Sequence, residues 1–179
     1  DSGIEWLGEI PAHWEVKPLR YSILKIVQGW SPICDNRIAK EGQPAVLKVG
    51  AVNNISFNDY EHKLFPDYLI PKEDFRVKEG DFILSRGNTK ELVGLASLVE
   101  QSPFKLYLSD LLFRLDLKKD LDGKYLVYLF RSSFIRHQIE TKVTGSSDTM
   151  PKISQGKLRS LIIVVPPYEE QIQIKENLQ

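Results

Sequence analysis

The 179 residues carry 24 lysines and arginines against 24 aspartates and glutamates, so the formal net charge is zero. That balance excludes coating of nucleic acid or of an anionic membrane by bulk positive charge. A content of 42% hydrophobic and 27% charged residues excludes a disordered chain and fits one domain with a substantial core. The single cysteine, Cys34, permits neither an internal disulfide nor a cysteine-rich zinc site, and agrees with a reducing compartment. No run reaches the roughly 18 apolar residues of a membrane span, and the N-terminus lacks the regions of a signal peptide, so a cytoplasmic protein is expected. Because the chain starts at Asp1 and stops inside a helical pattern, it is expected to be part of something longer.

Along the chain, helix and strand signals alternate, which predicts a mixed α/β domain without internal repeats. Leu19, Ile23, Ile26 and Val27 have helical spacing after Pro18 and predict a first short helix. Strands are predicted at Ala45–Val49, Asp81–Ser85, Leu92–Val99 and Lys105–Leu117, each apolar or alternating and bounded by Gly, Pro or Asn. From Gly123 to Val143, apolar residues recur at helical intervals and predict the longest helix. A polar loop at 144–149 and a helical turn at Ser154–Arg159 come next, then a buried strand at Leu161–Val165. Pro166 and Pro167 end that strand, and Glu169 and Glu170 supply the acidic first turn of a helix from about Tyr168.

Charge is unevenly spread along this pattern. Residues 17–48 hold six bases against two acids, and residues 124–160 hold seven against two. Acids predominate at 1–16 and 59–81. The expectation is one cationic face on an otherwise neutral domain, although solvated lysines scattered over the surface explain the same counts.

The residues of catalysis do not assemble in the sequence. His13, His62 and His137 lie in unrelated contexts without a nucleophile signature, and no short ligand spacing joins them to Cys34, so no catalytic centre and no metal are expected. Gly80, Gly87 and Gly94 punctuate strands rather than cradle phosphate, so no nucleotide cofactor is expected. Asp35 with Glu61-His62-Lys63 resembles the two carboxylates and lysine of magnesium-dependent nucleases, a triplet common by chance. Pro166-Pro167-Tyr168 resembles the loop by which amino-methyltransferases hold an extruded base, but Val165 stands where the polar residue belongs.

Several segments resemble, in order, the target-recognition domain of the specificity subunit of type I restriction–modification systems. Ile4-Glu5-Trp6-Leu7-Gly8-Glu9-Ile10-Pro11-Ala12-His13-Trp14-Glu15-Val16 is similar to its opening, and Gly80–Arg86 with Leu92-Val93-Gly94 to a central strand pair. Tyr125–Phe134 is similar to a Tyr/Leu-rich helix, and Gly145-Ser146-Ser147 with Ile153, Ser154 and Leu158 to the segment before the last strand. Val165-Pro166-Pro167-Tyr168-Glu169-Glu170-Gln171-Ile172 is the most specific match, resembling the junction into a long spacer helix. The resemblance implies a compact α+β-like domain over residues 1–166 with a short-stranded, largely antiparallel sheet, and the start of the spacer helix over 167–179. It implies recognition of one half of a split DNA target, with catalysis left to methyltransferase and restriction subunits. A second recognition domain, or a second copy, would pair through the spacer.

Reading duplex DNA requires cations for phosphates and fork-shaped polar groups for base edges. The candidates, all in loops at element ends, are Trp30, Ser31, Lys48, Asn53, Asn54, Arg86, Asn88, Thr89, Lys90, Ser146, Ser147, Thr149 and Lys152. Arg86 suits guanine, and Asn53, Asn54 or Asn88 suits adenine. Ordinary turn formation explains the same Asn, Ser and Gly residues. Trp6 and Trp14 are assigned to packing, while Trp30 is open between a DNA wedge and the core. The rival readings are a nuclease built on Asp35, Glu61 and Lys63, and a module that binds only protein.

Overall fold

The computed structural model describes residues 9–143 and 150–178. Its centre is a four-stranded antiparallel sheet in the order β2 (Ile23–Gln28), β8 (Leu112–Leu117), β5 (Phe82–Ser85), β6 (Ala96–Leu98). Successive side chains of a strand point to opposite faces, and both faces of this sheet are buried. Phe82, Leu84, Phe113 and Leu115 face the helices, whereas Ile83, Leu112 and Val27 face a second sheet. The second sheet runs β4 (His62–Leu64), β3 (Pro44–Leu47), β7 (Lys105–Tyr107), with β3 and β7 parallel. Two-sided burial is why β5 reads as an unbroken apolar run.

On the helical side, α1 (Gly123–Arg131) lays Phe130 against Phe82, ring centres 5.8 Å apart. A second helix, α2 (Ser133–Lys142), follows at once. The single helix expected over this region is two, because Ser132 has an extended backbone and its hydroxyl accepts from the Ile135 N–H as an N-cap. Gln138, buried in α2, uses its amide to bond both the N–H and the carbonyl of Ile162, each at 2.8 Å. The short α3 (Gln155–Arg159) then leads into β9 (Ile162–Val165).

Two other expectations need correction. The helical spacing after Pro18 belongs to a 3-10 turn at Leu19–Tyr21 and to β2. The register against β8 shifts between Ile23 and Lys25, and this bulge returns Ile23 and Ile26 to the same face, an i, i+3 pattern made by a strand. The run Lys105–Leu117 is two strands, β7 and β8, in different sheets with a turn between them.

Segments near the two ends of the described chain meet. β1 (Glu15–Pro18) pairs antiparallel with β9, from Glu15 opposite Val165 to Pro18 opposite Ile162. From α4 (Tyr168–Asn177), Glu170 accepts the Trp14 indole N–H at 2.8 Å and a His13 Nε2 bond at 2.7 Å. These bonds, the indole first, hold its carboxyl below the usual value. Trp14 thus packs the N-terminal arm, as expected; Trp6 lies outside the described residues.

Gln171 lies at the centre of this junction and is fully buried. Its carbonyl accepts the Asp122 N–H at 2.8 Å, and its amide donates to the carbonyls of Asp120 and Pro166, both at 2.9 Å. Asp122 caps α1 by accepting the Tyr125 N–H, and its other oxygen pairs with Lys175 at 2.8 Å. Because Asp120 and Asp122 follow the C-terminal end of β8, α4 is fastened at that end of the central sheet.

Gln171→Ala strands one buried N–H and two carbonyls, so it is expected to cost about 3 kcal/mol. Urea unfolding checks this, with the exposed Tyr168→Ala expected to stay within about 0.5 kcal/mol of the parent.

Candidate functional site

The strand registers put the C-terminal ends of β2 and β5 beside the start of β8. The C-terminal ends of β3 and β7 lie together in the neighbouring sheet, and the turn from β7 to β8 joins the two. Four loops therefore share one end of the domain, at 29–31, 48–54, 86–92 and 108–111. It is the opposite end of the central sheet from the α4 junction.

The turn at 108–111 holds these loops together. Ser31 Oγ donates to the Asp110 carboxylate, and Trp30 N–H reaches the Leu108 carbonyl at 3.3 Å. Arg86 bonds twice, N–H to the Leu111 carbonyl at 2.8 Å and Nη1 to the Asp110 carbonyl at 3.3 Å. Gly87 bridges to Lys152, and Ile153 N–H donates to the Arg86 carbonyl at 2.9 Å. An open cleft of about 340 Å³ beside the turn is lined by Ser31, Lys48, Lys63, Ser109 and Asp110 over an apolar floor that includes Val46. Lys48, Lys63, Arg86 and Lys152 thus surround one turn.

Of the two basic segments, Lys48 and Lys152 reach this end. Of the others, Lys17 pairs with Glu15 and Asp120 near the α4 junction, Arg37 pairs with Asp35, and Lys124 lies over the Tyr128 ring. Arg136 donates to the carbonyls of Lys90, Glu91 and Val93, and burial pushes its guanidinium below the usual value. It braces the 86–92 loop from behind. Lys63, from an acidic segment, joins the cationic group instead.

The remaining candidates divide by exposure. Thr89, Lys90 and Asn54 are exposed at the loop end. Asn53 closes its own turn, its carbonyl accepting the N–H groups of Ile55 and Ser56, and Asn53, Asn54 and Leu92 line one hollow. Asn88 is buried; its side chain accepts the Thr89 N–H at 2.8 Å and its N–H donates to the Pro151 carbonyl. Trp30 is half-buried, its ring packed between Phe65 and Phe75 with the Lys72 ammonium 4.8 Å from its centre. Ser146, Ser147 and Thr149 lie outside the described residues. Asp110, Ser109 and Lys63 are not among the DNA-contact candidates of the sequence, because a strand run surrounds the first two and an acidic segment the third, which enters there only as part of the nuclease triplet.

The nuclease triplet does not assemble. Asp35 bridges to Leu64 beside Lys63, but its carboxylate pairs with Arg37 at 2.7 Å and the Glu61 carboxylate lies against Gly50. Between them His62 is fully buried, Nδ1–H donating to the Asp59 carbonyl and Nε2 accepting the Ala39 N–H. Among the described residues no three His, Cys, Asp or Glu side chains are placed to hold a metal ion.

Comparison with known families gives a match over residues 11–179 to the type I restriction modification DNA specificity domain. The chain belongs to this family. The specificity domain is 30% identical over 173 residues to the type I restriction enzyme EcoEI specificity subunit of Escherichia coli, covering 96% of this chain and 29% of that protein. It is also 30% identical to the putative type I restriction enzyme MjaX specificity subunit of Methanocaldococcus jannaschii, covering 96% and 40%. The fold is shared with the HsdS subunit of Thermoanaerobacter tengcongensis, at a TM-score of 0.62, 18% identity, and coverage of 96% and 37%. The chain thus spans well under half the length of these relatives.

Gly29 sets the tolerance of the loop end. A Cβ there would stand 2.1 Å from the Leu108 carbonyl oxygen and 2.5 Å from that of Ser109. Since backbone must move to admit it, Gly29→Ala is expected to cost about 2 to 3 kcal/mol, measured as a lowered urea midpoint.

Proposed function

We propose that residues 1–166 of this specificity domain read one half of a bipartite duplex DNA target, and that residues 167–179 begin the spacer helix. The domain itself is non-catalytic and needs no cofactor. It directs methyltransferase subunits, and through them restriction subunits, which carry the chemistry. A second recognition domain, or a second copy, completes the target through the spacer. The setting is the cytoplasm, and among the described residues no helix is long and apolar enough to cross a membrane.

One observation carries the reading. Four loops from two sheets converge on the 108–111 turn with Lys48, Lys63, Arg86 and Lys152 around it, while α4 is fastened at the far end of the central sheet. Cations answer phosphates, and the mixed polar groups between them answer base edges. Local concentration of charge reconciles a neutral chain with DNA binding, because association requires a few correctly placed cations rather than a net excess.

The test is duplex binding by the full specificity subunit with its methyltransferase partner across a salt series. Lys48→Ala and Lys152→Ala should each weaken all sequences alike and reduce the slope of log affinity against log salt by about 0.9. Arg86→Ala should relax preference at one position, at about 1–3 kcal/mol. A complex whose affinity ignores both salt and these lysines would identify a module that binds protein only.

A further inference from the structure

One group at the loop end runs against its surroundings. Asp110 is half-buried at the β7–β8 turn, beside Lys48 and Lys63 in the cleft and with Arg86 on its own carbonyl. None of the ion pairs among the described residues includes it. Its carboxylate instead accepts from Ser31 Oγ, which fixes its orientation and leaves acceptor capacity on the second oxygen. Next to it, the largely buried Ser109 lines the same cleft.

A carboxylate among phosphate-binding cations repels the phosphates those cations attract. Its placement is productive toward a base edge that presents a donor. In the major groove, cytosine offers its N4 amine without an adjoining acceptor, whereas adenine sets N7 beside N6 and guanine offers only acceptors. Resting on the DNA-recognition reading above, we propose that Asp110 is a specificity-determining residue that accepts the N4 amine of a cytosine in the target, with Ser31 as its positioning residue. The flanking lysines hold the adjacent phosphates and offset the carboxylate's repulsion.

The experiment uses the full specificity subunit with its methyltransferase partner and a library of randomised duplexes, followed by the selected duplex with each base pair changed singly. Asp110→Ala is expected to lower discrimination at one cytosine about 10-fold or more, while affinity for non-target duplex is unchanged or tighter. Replacing that cytosine with 2-pyrimidinone, which lacks only the 4-amino group, should cost the parent complex a similar factor and cost Asp110→Ala nothing. Should Asp110→Ala fail to fold, Ser31→Ala keeps the carboxylate and is expected to relax the same position by a smaller factor. The proposal is overturned if the Asp110 variant tightens binding to every duplex equally with preference intact. It is also overturned if the parent tolerates 2-pyrimidinone at every cytosine, or if Ser31→Ala relaxes no position. A parent complex without any sequence preference overturns the underlying DNA reading and this assignment with it, whereas intact preference lost through Lys48 but not Asp110 overturns the assignment alone.

Discussion

The amide of Gln171 is fully buried and bonded on all sides to backbone, to the loop that starts α1 and to the strand end that precedes α4. Backbone groups out of reach of water must be paired, so the helix can leave the domain in one direction only. Glu170, gripping Trp14 and His13, and the β1–β9 pairing fasten the N-terminal segment to the same point. The central sheet then carries this orientation to its other end, where the four loops gather. On the proposed reading, loops at one end of the sheet that meet DNA and a helix at the other would give the specificity domain a fixed relation between what it touches and what it joins.

Charge follows the same division of labour. Several cations from the two basic segments serve the structure: Arg136 braces a loop through three carbonyls, Lys17 binds Asp120 ahead of α1, and Arg37 holds Asp35; outside those segments, Lys175 binds Asp122 at the start of α1. On the proposed reading, DNA meets a small group of cations around one turn, with a carboxylate in its midst. A neutral chain is therefore suited to selective binding at one place and unsuited to indiscriminate coating.

Much of this was legible in the sequence, where the signal was local. Two-sided burial of β5, the acidic first turn of α4 and the apolar stripe of α1 all leave patterns a few residues long. Three of the four gathered loops, at 29–31, 48–54 and 86–92, are legible because Gly, Asn and Ser mark strand ends, whereas the turn at 108–111 is hidden inside an apolar run that reads as one strand. What escaped depended on partners distant in sequence or on breaks in periodicity. The bulge in β2 imitates a helix, since one extra residue converts alternation into an i, i+3 spacing. Ser132 interrupts an apolar stripe that continues on both sides of it. Nothing in the helical periodicity of 123–143 singles out Arg136 or Gln138, yet both turn to the backbone of segments more than 20 positions away. Asn88, a candidate for adenine, is buried with its side chain on the Thr89 N–H; Asp110, inside a run that reads as one strand, sits instead in the turn between β7 and β8.

The central claim is that duplex DNA meets the loop end and that the α4 junction stays clear of it. Backbone hydrogen exchange of the full specificity subunit with its methyltransferase partner, with and without target duplex, tests it most directly. The account predicts slowed exchange at residues 29–31, 48–54, 86–92 and 108–111 and no change in β1 or β9. Slowed exchange at the β1–β9 junction, with the four loops unaffected, would contradict it.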